Sequence, residues 1–434
     1  EFMELKVRNF AKIAEADIII DGITIIAGNN NTGKSTIGKI LDAIFNTTIN
    51  IGEKMNKARV NLLSEALQKE LEQILAREAS YFSIRYDMQL SVRKFAEELV
   101  EGKNGSDDLC RRYLRSLEIS LDSTEEDQAI ERFRSLLAEI GQISETSLSE
   151  AIYTNYFGDI FHKQINSVYH REKEAAVTLL IKRKKIQLEF KNDECVNCVR
   201  ELGISNTSLY IDDPFVLDEL NNRLFLFTSD ESMHQRNIVQ KLTATKEKGI
   251  EERALSELLM NRRLEEIVEL MNKVVAGKVL RRQKYMYQME GDITKELDVA
   301  SLSTGLKSFV IIKQLLLNGA LNEKDVIVLD EPEIHLHPEW QLIYAELIIL
   351  LQKKFDFHII VTTHSSHFME ALELFAKRYG LFNRCNYYLA DVKEHGAYFE
   401  NVTDDLSRIY KQMVDPTLLL SRLREELETE DDEL

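Results

Sequence analysis

The residues best equipped for chemistry lie in four short stretches. Gly28–Ser35 reads GNNNTGKS and fits the pattern GxxxxGK(S/T) in full. Glycines let a backbone fold closely around phosphate oxygens. Loop N–H groups and the start of a following helix add positive potential. Asn30, Asn31, Thr32 and Gly33 therefore cradle phosphates, Lys34 reaches the β- and γ-phosphates, Ser35 offers a hydroxyl to Mg2+, and Thr36 supports the loop. The second stretch, Val326–Glu333, reads VIVLDEPE. Its apolar run predicts a buried parallel strand that ends on two carboxylates. Asp330 is placed to hold Mg2+, and Glu331 to orient or deprotonate an attacking water. Adjacent carboxylates repel one another unless a cation or exposure offsets the repulsion, so a purely structural role is the poorer explanation.

The other two stretches gain meaning from these. LSTGLKS, Leu302–Ser308, is by itself an ordinary helix start with a serine cap. It lies just ahead of the helix that leads to the acidic strand. His364 closes the strand HIIVTTHS. Alone, it reads as a satisfied histidine at a strand end. Beside the other three motifs it becomes a candidate catalytic group.

These residues need elements to hold them. MELKVRNF alternates, and ADIIIDGITIIAG carries β-branched runs around an Asp21-Gly22 turn, so residues 3–27 read as two strands feeding the phosphate loop. IGKILDAIF follows with helical spacing. From about residue 52 the pattern is polar and amphipathic, as in NLLSEALQKELEQILAREA. Its heptads are not sustained, which predicts a compact helical insertion rather than a coiled-coil arm. VTLLIKRKKIQLEF and TSLYIDDP read as strands, 216–275 as helix, and 296 onwards as alternating helix and strand, closing on a hairpin around Glu394–Gly396. The expected class is α/β: a nucleotide-binding head from 3–50 and 276–434, joined by strands near 177–215. A mostly helical lobe of 51–176 and 216–275 interrupts it.

Composition narrows the alternatives. Hydrophobic residues are 44% and charged residues 29%, which is globular. Glu1-Phe2 ahead of Met3 reads as a cloning remnant and is set aside. The longest apolar runs are too short to cross a bilayer, which predicts a cytoplasmic protein with no membrane partner. Net charge is −18, part of it in the acidic ending EELETEDDEL. That argues against broad coating of nucleic acid, which needs Lys and Arg. Two local basic runs, Lys182–Lys185 and Arg281, Arg282, Lys284, leave DNA or RNA contact open. Cys195 and Cys198 form one CxxC with no second pair, a weak zinc signal.

Taken together, LKVRNFAKI, GNNNTGKST, LSTGLKSF, VIVLDEPEIHLHP and IIVTTHSSHF resemble the ATP-binding-cassette (ABC) superfamily in its SMC, RecF and OLD branch. The resemblance covers both ends of the chain and not its middle. It implies an ABC-type P-loop ATPase that uses ATP and Mg2+. It places the Walker A lysine on Lys34, the Walker B pair on Asp330 and Glu331, the signature on Ser303 and Gly305, and the switch histidine on His364. His335 and His337, in EIHLHP, fall on the dimer-facing D-loop, which gives them a role without a metal. No Q-loop glutamine is visible; Asp212 and Asp213 stand nearest its expected place. In this superfamily two heads sandwich two ATP molecules, so Ser303 and Gly305 would act in trans and the unit would be a homodimer or larger. The stretch after His364 is shorter than the nuclease domain of OLD proteins, and no HNH or PD-(D/E)xK constellation stands elsewhere, so no intrinsic nuclease domain is expected. Short ATPases of this kind resemble the PtuA subunit of Septu and of Septu-like retron antiphage systems, whose partner is a separate HNH nuclease of the PtuB kind. The competing expectation is a RecF/SMC-like repair clamp that grips DNA on dimerising.

Overall fold

The computed structural model describes residues 2–75, 81–102, 106–117, 122–222, 233–244, 264–289, 295–413 and 420–424. These divide into two units, one of residues 1–49 with 154–434 and one of 50–153.

The larger unit is built on a sheet of eleven strands. Three come from the first thirty residues: β1 (Met3–Phe10), β2 (Ile13–Ile20) and β3 (Ile23–Gly28). Sequence patterning joined the last two, but the Asp21-Gly22 turn, with Gly22 at φ 70°, separates them. β4 (Ala175–Ile181), β5 (Lys184–Lys191), β6 (Glu194–Arg200) and β7 (Ser208–Ile211) follow the helical insertion. β11 (Val326–Asp330), β12 (His358–Thr363), β13 (Cys385–Lys393) and β14 (Gly396–Asn401) complete the sheet. Its order is β6-β5-β4-β1-β2-β14-β13-β3-β12-β11-β7.

The order divides the sheet by chemistry. From β13 to β7 the strands run parallel. β3 and β12 are buried along their whole length, as a strand covered on both faces must be. One face, carrying Ile25, Ile327, Leu329, Ile359 and Val361, belongs to the main core. That face packs with α8 (Thr304–Leu317), α9 (Pro338–Phe355) and α10 (Ser366–Arg378), where Phe309 meets Tyr344 edge-on at 5.1 Å. The other face takes α1 (Lys34–Thr48). A Cβ added at Gly38 would stand 2.5 Å from Val328 Cγ1, so only glycine lets this helix lie so close to β11. At the opposite end, β1, β4 and β5 pair antiparallel and alternate buried with part-exposed residues. Phe10, Phe157 and Phe190 close that wing. A separate three-stranded sheet joins β8 (Lys278–Arg281), β9 (Tyr285–Gln288) and β10 (Glu296–Asp298).

The smaller unit is helical: α2 (Ile51–Leu75), α3 (Tyr81–Glu101), α4 (Ser106–Ser116), α5 (Ser123–Gly141) and the start of α6 (Glu145–Ile160). Leu63, Leu67 and Leu71 recur at helical spacing and pack with Phe95, Tyr113 and Phe133. Phe95 stacks on Tyr113 at 4.0 Å. Asp122 and Glu125 form a capping box that starts α5.

The expected helical lobe of 51–176 and 216–275 divides differently. Leu217, Leu220, Ile238, Ile267 and Met271 are buried in the same core as β11 and β12. The 3-10 helix Pro214–Asn221, α7 (Met233–Thr243) and the helical residues 264–272 therefore belong to the larger unit, as do 154–176. Residues 223–232 and 245–263, part of the stretch 216–275 read as helix, lie outside the described residues. No helix among the described residues is long and apolar enough to cross a membrane.

Candidate functional site

The carboxyl ends of β3, β12, β11 and β7 gather the predicted residues on one edge of the sheet. β3 ends at Gly28, whose φ of 154° and close approach to the Ala390 carbonyl exclude a side chain. The chain then turns through Asn31 at φ 68° and Gly33 at φ 83° before α1 begins at Lys34. Asn30 and Asn31 are exposed, Thr32 is buried, and the Thr32 hydroxyl donates to the Asn29 carbonyl at 2.9 Å. The Thr36 N–H donates to the Gly33 carbonyl at 3.1 Å. Lys34 is 3% exposed. Its ammonium donates to the Gly28 and Asn29 carbonyls at 2.9 and 2.8 Å and stands 3.4 Å from Glu331. A buried cation at the centre of a left-handed loop, ahead of a helix N-terminus, fits a polyphosphate. Lys12 also reaches this loop, donating to the Asn31 side chain, a contact that spacing along the chain does not anticipate.

Asp330 ends β11 and is held from three elements. Ser35 on α1 donates to Oδ1 at 3.0 Å. Thr362, paired with Asp330 in the β11–β12 register, donates to the same oxygen. Tyr210 on β7 donates to Oδ2 at 2.5 Å. Burial, with the Asp330 charge, holds the Tyr210 phenol well above its ordinary pKa, so it stays a donor. A carboxylate and a hydroxyl side by side are hard oxygen donors. With phosphate oxygens and water completing the shell they suit Mg2+. Ser35 and Asp330 therefore fit the ion expected of them.

Glu331 follows at φ 48°, its N–H donating to the Thr362 carbonyl at 3.1 Å and hydroxyl at 3.0 Å. The left-handed turn aims its side chain between Lys34 and His364, whose Nδ1 stands 3.4 Å from it. His364 is exposed, and its Nδ1 also lies 3.7 Å from Glu333. Glu333 is 3% exposed, and its Oε1 accepts from the Thr363 hydroxyl at 2.5 Å and the His364 N–H at 3.1 Å. Its other oxygen has no protein partner. Burial pushes this carboxyl above its ordinary pKa.

Other candidates sit apart from this cluster. Ser303 is the exposed N-cap of α8, yet its hydroxyl does not cap its own helix. Gly305 is buried, and a Cβ there would stand 2.8 Å from the His335 carbonyl and 3.2 Å from Trp340. Glycine thus lets the start of α8 abut the loop of His335 and His337, both exposed. Asp212 and Asp213 follow β7, but neither meets Lys34, Ser35 or Asp330. Asp213 caps the 3-10 helix through the Phe215 N–H at 2.8 Å. Asp212 pairs with His234 at 3.3 Å, which holds its pKa below the ordinary value against burial. Cys195 and Cys198 lie on one strand, and no group of three or more His, Cys, Asp or Glu among the described residues is placed to hold a metal.

Tyr210, Thr362, Thr363 and Glu333 were not singled out by sequence reasoning. Thr362, Thr363 and Glu333 lie within the quoted stretches HIIVTTHS and VIVLDEPE, so hydroxyl and carboxylate chemistry there was a usable signal. Tyr210 carried none, because its role depends on β7 lying beside β11.

A family model described as AAA ATPase domain matches residues 3–369. No curated protein matches the chain. Among solved structures it is similar to the SMC head domain from Thermotoga maritima, with 13% identity, a TM-score of 0.39, and 93% of this chain and 99% of that one covered. It is similar to an SMC head bound to the C-winged helix domain of ScpA, with 10% identity, a TM-score of 0.42, and 94% and 99% covered. An SMC head with an extended coiled coil, bound to the C-terminal domain of ScpA from Pyrococcus furiosus, gives 10% identity, a TM-score of 0.38, and 98% and 99% covered.

Proposed function

Because this chain belongs to the AAA ATPase domain family, we propose that it is an ABC-type ATPase whose sites are completed between two copies. Lys34 and the loop N–H groups bind the β- and γ-phosphates of ATP. Ser35 and Asp330 hold Mg2+, which when bound offsets charge developing on the transferred phosphoryl group. Glu331 takes the proton of the attacking water, and His364 holds Glu331 in place from the other side. Ser303 and Gly305 reach the γ-phosphate of the opposite copy, with His335 and His337 on the same contact face.

The observation that carries this reading is the unused hydroxyl of Ser303. It caps nothing in its own helix and faces outward at a helix N-terminus, where an anion is favoured. Mixing supplies the test. Lys34→Ala and Ser303→Arg chains are each inactive alone, and their equimolar mixture regains turnover, because one of its two sites is intact. A mixture as inactive as its components removes the trans assignment.

The ATPase cycle on this reading switches a separate effector. The DEPEIHLHP loop and the four motifs resemble the ATPase of Septu-type antiphage pairs, so the proposed partner is an HNH nuclease and the role is defence. Affinity capture from the native host distinguishes this role from a repair clamp. Recovery of a small nuclease that follows the ATP state supports it; recovery of DNA alone favours the RecF/SMC-like alternative.

A further inference from the structure

A pocket of about 570 Å3 opens on the edge of the sheet opposite the phosphate loop. Its lining fixes its place. His358 starts β12, Lys324 precedes β11, Met3 starts β1, and Phe45 lies near the end of α1. The parallel strands run from this edge towards Lys34. The size suits a small organic ligand.

Three features define what would fit. The first is charge. Lys182, Arg183 and Lys184, from the β4–β5 turn, face the pocket with Lys324, and no carboxylate among the described residues lines it. In a chain of net charge −18 this is a local reversal of sign. The neighbouring acid, Asp325, is fully buried and already accepts from Asn206, Thr207 and Asn322. The second is an apolar wall from Phe45, Ile181, Leu202 and Ile204. The third is His358, which borders the pocket and is itself buried, at 3% exposure. Burial lowers its pKa to about 4, so at neutral pH the ring offers hydrogen bonding rather than charge.

We propose that this pocket is a second ligand site, separate from the phosphate loop, that binds a nucleotide. The phosphate meets Arg183, Lys184 and Lys324, and the base lies on the apolar wall beside the His358 ring. A free mononucleotide and the terminal nucleotide of a strand share this chemistry.

The test uses the full chain carrying Lys34→Ala, so that the phosphate loop does not contribute. Isothermal titration is run with AMP and, separately, with a short 5′-phosphorylated oligothymidylate. Saturable binding of either probe is expected. AMP binding marks a free nucleotide as the ligand; binding of the oligonucleotide alone marks a strand end. Lys184→Glu at the exposed start of β5 and Lys324→Glu in the exposed turn before β11 should each weaken that binding about tenfold. Absence of binding by both probes overturns the proposal, and so does binding that both charge reversals leave unchanged.

Discussion

Replacing Tyr210 with phenylalanine removes one hydroxyl and leaves the ring. The ring is 1% exposed and packs edge-on against His234 at 5.1 Å, so the core around it is expected to survive. What disappears is a hydrogen bond to a carboxylate, from Tyr210 to Asp330 Oδ2 at 2.5 Å. Such bonds contribute about 1.5–3 kcal/mol. The other Asp330 oxygen keeps its donors from Ser35 and Thr362, so the carboxylate stays in place but loses its orientation on one side. Groups that orient a metal ligand from behind typically change metal affinity by about 10–100-fold. The assay is initial ATP turnover against free Mg2+ at saturating ATP. Tyr210→Phe should raise the half-activating Mg2+ concentration by about tenfold or more and approach normal turnover at high Mg2+. Ser35→Ala serves as the reference for a lost direct ligand. A Tyr210→Phe curve superimposable on the parent, with Ser35→Ala shifted, would refute the reasoning.

Three further outcomes follow from the same cluster. Asp42 on α1 is buried, and burial raises its pKa to about 6, despite a hydrogen bond from the Asn46 side-chain amide at 2.8 Å. The folded state then holds a proton that the unfolded state releases near pH 4, so this group lowers stability as pH rises from about 4 to 6. Asp42→Asn should therefore be the more stable protein by about 1–3 kcal/mol above pH 6, with the advantage gone below about pH 4, as read from urea midpoints. Gly38→Ala places a methyl 2.5 Å from Val328 Cγ1 and should cost about 1–3 kcal/mol in the same measurement, with lower turnover because α1 carries Lys34 and Ser35. Glu333→Leu strands the Thr363 hydroxyl and the His364 N–H; ATP binding by equilibrium dialysis should persist while turnover falls about tenfold or more.

Much of the site was legible because its chemistry is local in sequence. The phosphate loop encodes its own turn, through Gly28, Gly33 and the helix start at Lys34. DVIVLDEP encodes a buried strand and the carboxylates at its end. What escaped depends on which strands become neighbours. Thr362 touches Asp330 because β12 pairs with β11, and Tyr210 touches it because β7 lies on the other side. Neither pairing is written in spacing along the chain. Asp212 and Asp213 illustrate the reverse case, acids near the expected place whose observed partners are His234 and the Phe215 N–H rather than the phosphate-loop residues. The helical residues of 216–275 read as part of an insertion from periodicity alone. Their membership of the main core is decided by Leu217, Ile238 and Ile267 packing with the helices under the sheet, which periodicity does not report.

The central claim is that ATP joins two copies across the faces that carry Ser303 and Lys34. Sedimentation velocity of Glu331→Gln tests it most directly, since this change keeps the side chain's shape and removes the base. With ATP and Mg2+ the variant should sediment as a dimer or larger, and Ser303→Arg added to it should return the monomer. A Glu331→Gln protein that binds ATP yet sediments as a monomer at every nucleotide concentration would contradict the account.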